Sequence, residues 1–77
     1  MSNLHISSAF DRDLEAIQAQ IMKMGGMVEA AIIDAARSLE TRDIELAEQV
    51  RNGDKTIDAL ELEINEEAAR VTAPHGA

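Results

Sequence analysis

Apolar residues recur along the first half of the chain as Phe10, Leu14, Ile17, Ile21, Val28, Ile32, Ala35 and Leu39, with Gly25 holding the place between Ile21 and Val28. The steps alternate between three and four residues, the period of one face of an α-helix. The pattern predicts a helix over residues 8–40, about 50 Å long at 1.5 Å per residue. Ser7 or Ser8 stands where an N-cap oxygen is wanted, and Asp11, Asp13 and Glu15 follow where the positive end of the helix dipole favours acids. A second stripe, Leu46, Val50, Gly53, Ile57, Leu60, Ile64, Ala68 and Val71, predicts a helix over residues 43–71. Asn52-Gly53-Asp54 has the composition of a turn, yet the stripe keeps its phase through Gly53, so the helix is expected to continue. Thr41 or Asp43 is placed to cap the second helix. A connection this short makes the two helices antiparallel neighbours.

Outside these stretches no periodic pattern is found. Residues 1–7 read as a loose start, and 72–77, with Pro74 and Gly76, as a frayed tail around the helical hairpin of 8–71. The fold class expected is therefore all-α.

Each helix carries more apolar surface than one neighbour covers. Met22, Gly26, Ile33 and Ala36 widen one flank of the first stripe, Met24, Met27 and Ala31 the other, and Ile44, Leu62 and Ala69 lie well off the second. A chain of 77 residues folded as a hairpin has a marginal core, so either self-association or a third helix is expected to complete it. Gly25 and Gly26 each cost roughly 1 kcal/mol relative to Ala in a helix interior. Close helix–helix approach explains them better than a hinge, and Gly53 is likewise assigned to the side facing a neighbour.

Composition agrees with helix: 45% apolar residues, Phe10 as the single aromatic, one Pro and no Cys. The lack of Cys excludes disulfides, thiolate metal sites and cysteine nucleophiles. A net charge of −8 argues against nucleic acid as a partner. No apolar run approaches the roughly 20 residues that cross a bilayer, and no secretory signal is visible, so a cytoplasmic protein without membrane insertion is expected. His5 and His75 fall in the expected loose ends, where no packing holds them for catalysis or ligation. No phosphate-binding Gly-rich loop is present. No catalytic, cofactor-binding or metal site is assigned, and an enzyme is not expected.

The acids of the second helix are the one polar constellation of interest. Asp54, Asp58 and Glu61 fall along one strip, with Asn65 continuing it. Such a strip is ordinarily a solvated flank in an acidic chain. It is also the shape of a contact surface for a basic partner, or of a set of oxygen ligands if another helix supplied more. Glu66 and Arg70 are spaced for an i, i+4 pair.

Two motifs carry a family resemblance. Met24-Gly25-Gly26-Met27-Val28-Glu29 and, on the second helix, Asn52-Gly53-Asp54-Lys55 resemble the PhoU family, as do His5-Ile6-Ser7, Asp13-Leu14-Glu15, Ile57-Asp58-Ala59-Leu60-Glu61 and Ile64-Asn65-Glu66-Glu67-Ala68. The likeness extends to about Val71. It implies a cytoplasmic regulator of bacterial phosphate uptake that represses the phosphate-starvation response by linking the phosphate ABC transporter to a sensor histidine kinase. The family fold is two repeats of a three-helix bundle, and members commonly dimerise, so a homo-oligomer is implied. The resemblance supplies the third helix that the surplus apolar flanks ask for. It also implies that this chain matches only the first two of six helices, a truncated N-terminal portion. Metal clusters in the family use a Glu/Asp-x-x-x-Asp motif associated with the third helix of each repeat. Asp54 and Asp58 match that bare pattern, which is frequent in acidic helices, and the metal role is not carried onto them. The alternative is a structural hairpin that self-associates and retains no signalling activity.

Overall fold

The computed structural model describes residues 8–73, and the expected loose ends, with His5, Ser7, His75 and most of the tail, lie outside them. Two helices make up this region: α1, Ser8–Thr41, and α2, Ile44–Thr72. They pack side by side, antiparallel, as an all-α hairpin. Asn52-Gly53-Asp54 lies within unbroken helix, because the apolar seam on either side holds it in register.

The connection between the helices is two residues long. Arg42 takes φ 55°, the left-handed conformation that ends a helix by turning the chain out of it. The amide of Asp43 then donates to the Ser38 carbonyl at 2.9 Å, the long backbone bond of a Schellman closure. The Asp43 carboxylate accepts from the Leu46 amide at 3.0 Å and caps α2. Thus one residue closes α1 and opens α2.

Ile17, Leu60 and Ile64 are the buried apolar residues, at 7%, 8% and 8% exposure, with Met24, Met27 and Val71 packed against them. Ser38 is buried as well, its hydroxyl donating to the Ala35 carbonyl at 2.7 Å. On α2 the seam follows the expected stripe through Leu46, Val50, Ile57, Leu60, Ile64, Ala68 and Val71, all at least half-buried. Gly53 is the exception and is exposed.

On α1 the seam does not follow the expected stripe. It runs through Ile17, Met24, Met27, Ala31, Ala35 and Ser38, which includes the flank that had been set beside the main face. Phe10, Leu14, Ile21, Val28, Ile32 and Leu39 are exposed instead, Ile21 at 47% and Leu39 at 81%. At 100° per residue, these six centre about 75° round the helix from the seam. An apolar arc wider than one neighbour leaves the choice of sector to the neighbour. Here the tight connection sets the roll of α1 and turns the flexible Met24 and Met27 inward.

The hairpin is a single layer. Its Cα extents are 57 × 30 × 11 Å, one helix thick. Its accessible surface is 6361 Å², against about 4600 Å² for a compact protein of this mass. Two broad faces therefore remain uncovered.

Candidate functional site

The two faces differ in chemistry. On α2, Asp54, Asp58, Glu61 and Asn65 are exposed and centre about 90° from the seam, in the same rotational sense as the uncovered α1 stripe. In an antiparallel pair, offsets of the same sense fall on the same side. The apolar row Phe10, Leu14, Ile21, Val28, Ile32 and Leu39 thus runs beside an acidic row. We refer to this side as the apolar face. Met22 and Ile33 point away from α2, along the outer edge of α1.

The opposite side is grooved. A trough of about 790 Å³ lies between the helices, lined by Ala16, Ile17, Ala19, Gln20 and Lys23 from α1 and by Glu63, Ile64, Glu66, Glu67 and Arg70 from α2. A shallower one of about 330 Å³ continues along the same side past Met27, Ala30, Ala31, Asp34, Gln49, Val50, Gly53 and Ile57. Alanine and glycine supply much of α1's wall and the floor near Gly53, which is why the side is concave.

Ion pairing concentrates at the open end of the hairpin. Arg70 Nη2 lies 2.6 Å from Glu67 Oε1 and 3.7 Å from Asp13 Oδ2 on α1. Arg70 Nε also donates to Glu67 Oε1 at 2.8 Å. The pair is i, i+3 rather than the expected i, i+4 pair with Glu66. Glu67 sits toward the seam and Glu66 away from it, and Arg70 must turn toward the seam to approach Asp13. The bond from Arg70 holds the Glu67 carboxyl below its ordinary range, and the same bond raises Arg70.

Gly25, Gly26 and Gly53 are all open. A Cβ built on any of them meets nothing within 4 Å. Within the hairpin, then, no neighbouring backbone approaches them, and a packing role for these glycines is one toward something outside it.

Among the described residues no group of three or more His, Cys, Asp or Glu converges as a metal site. Asp54, Asp58 and Glu61 are strung along one helix and do not share a centre. No helix among the described residues is long and apolar enough to cross a membrane. What the hairpin presents is two extended surfaces.

The PhoU domain family matches residues 21–76, most of the chain. The chain belongs to the PhoU family. It is 42% identical over 71 residues to the phosphate-specific transport system accessory protein PhoU of Escherichia coli K12, covering 92% of this chain and 30% of that protein. The PhoU homolog of Pseudomonas putida is 41% identical over 69 residues, 90% of this chain and 27% of the homolog. That of Rhizobium meliloti is 40% identical over 68 residues, 88% and 29%. The chain thus spans about 30% of the length of the PhoU relatives it matches. No solved structure matches it.

Proposed function

We propose that this PhoU-family hairpin is a regulatory interaction module of phosphate uptake, acting in the cytoplasm by protein–protein contact and lowering the phosphate-starvation response. The family membership supports the pathway. The observation that supports contact rather than chemistry is the apolar face, where α1's exposed stripe lies beside Asp54, Asp58 and Glu61 on α2. Apolar area of that extent is the part of a surface that gains most from being covered.

The face fits a third helix with an apolar stripe and a basic flank, the bundle arrangement that the family resemblance implies. Asp54, Asp58 and Glu61 would meet the basic flank, in that helix or in a partner seated against it. The transporter and its sensor kinase are the partners proposed, together with a further copy of the chain.

Expression in a bacterial strain lacking its own PhoU tests this reading. In phosphate-replete medium the chain is expected to lower a phosphate-starvation reporter, and the triple change Asp54→Lys, Asp58→Lys, Glu61→Lys to abolish that effect while the protein stays helical. An inert chain that nonetheless self-associates supports the second reading, a structural hairpin without signalling activity.

A further inference from the structure

The grooved face carries mainly basic charges on α1 and mainly acidic charges on α2, with Asp34 on α1 and Arg70 on α2 as the exceptions. On α1 it carries Lys23 and Arg37, each set about 90–130° from the seam. On α2 it carries Glu45 and Glu63, about 100° from the seam in the same sense. All four are exposed, and among the described residues none of them forms an ion pair within the hairpin. The Asp13–Arg70 contact fixes the levels of the two helices. Counting inward from it, Lys23 lies level with Leu60, one turn from Glu63, and Arg37 lies level with Leu46, beside Glu45.

We infer that the grooved face is a docking surface for a second copy of this chain. This rests on the proposal that the chain self-associates, and names the surface. Place two hairpins groove to groove about a two-fold axis parallel to the helices. Then α1 of each lies over α2 of the other, antiparallel, with levels preserved. Lys23 then meets the partner's Glu63 and Arg37 the partner's Glu45, and each contact occurs twice. Asp34, the acid of α1 that lines the shallow trough, falls level with Gln49 and so meets an amide rather than a carboxylate. Ala16, Ala19, Ala30 and Gly53 leave room for the approach.

The apolar face does not suit a second copy. Its acids on α2 would meet either an apolar row or the same acids of the partner, with no base on α1 to answer them. The area is also adequate. Two helices overlapping over about 44 Å, each about 10 Å wide, present roughly 800–900 Å². That is about what each partner of a standard stable interface buries.

Two charge reversals in the 77-residue chain test the surface. Lys23→Glu with Arg37→Glu puts acids at the contact positions of both helices, and Glu45→Lys with Glu63→Lys puts bases at both. Sedimentation equilibrium over a concentration range, with helicity followed on the same samples, is the readout. The unaltered chain is expected to dimerise, and more weakly as salt rises. Each variant alone is expected to dissociate at least tenfold more readily, and an equimolar mixture of the two to recover the dimer. The mixture controls for folding, since misfolded variants cannot rescue one another. Variants that dimerise as well as the unaltered chain would overturn the surface and leave self-association standing. An unaltered chain monomeric at every concentration would overturn both.

Discussion

Arg70 in the last turns of α2 reaches back across the hairpin to Asp13 in the second turn of α1, closing the end that has no connecting loop. The loop end is held covalently and by two backbone and side-chain caps. The open end is held by this contact and by Val71 against the core. Both Arg70 and Asp13 are about half exposed, so the contact orders the end rather than stabilising the whole.

Replacing Arg70 with Gln is therefore expected to change the melting temperature little and to speed amide exchange over residues 68–72 selectively. Salt should produce a similar local effect in the unaltered chain. Uniform acceleration through both helices would contradict the assignment.

The pair also carries a pH dependence. Unfolded, Glu67 titrates at its ordinary value of 4.5, whereas folded it is held lower by Arg70. The stabilisation is therefore present above pH 4.5 and fades as pH falls through the lower folded value. Fraying of the α2 C-terminus is expected to grow below pH 4.5, and Glu67→Gln is expected to remove that acid-dependent component.

The core rests on few residues, and loss of one should be severe. Leu60→Ala or Ile64→Ala is expected to cost about 2–4 kcal/mol, most of what so small a core supplies. Leu62→Ala, on the outer side of α2 at 59% exposure, is expected to cost less than about 0.5 kcal/mol. Thermal melts followed by circular dichroism at fixed concentration check both.

At the loop, Arg42 bears the positive φ that glycine adopts without strain. Arg42→Gly is expected to raise stability by about 1 kcal/mol, or roughly 4–8 °C in melting temperature. Asp43→Ala is expected to lower it by about as much, through loss of the bond to the Leu46 amide. If both variants melt with the unaltered chain, this end does not set the hairpin.

The two helices were not equally legible in the sequence. On α2 a single apolar row meets a single neighbour, so the row and the seam coincide from Leu46 to Val71. On α1 two apolar sectors share the helix, and hydrophobicity alone ranks the Phe10 to Leu39 row first. Only the roll set by Arg42 and Asp43 shows that Met24, Met27 and Ala31 face α2. The grooved face was harder still to read. Its character lies in which helix carries which charge, and that emerges only once the register across the seam is known. The strip of Asp54, Asp58 and Glu61 was visible from spacing. That it flanks α1's exposed apolar row was not.

The glycines separate the hairpin's own stability from its assembly. Gly25, Gly26 and Gly53 lie inside helices with open space where a Cβ would stand. Each change to Ala is expected to stabilise the isolated hairpin by up to about 1 kcal/mol through helix propensity alone. If the glycines admit a close neighbour from outside the hairpin, the same changes should weaken association. Gly53, which lines the shallow trough, is the sharpest case. Gly53→Ala is expected to raise helicity in dilute solution while shifting the dimer dissociation constant upward severalfold. A gain in helicity with association unchanged would mean that nothing packs closely at Gly53, and would leave its presence in the helix without a structural reason.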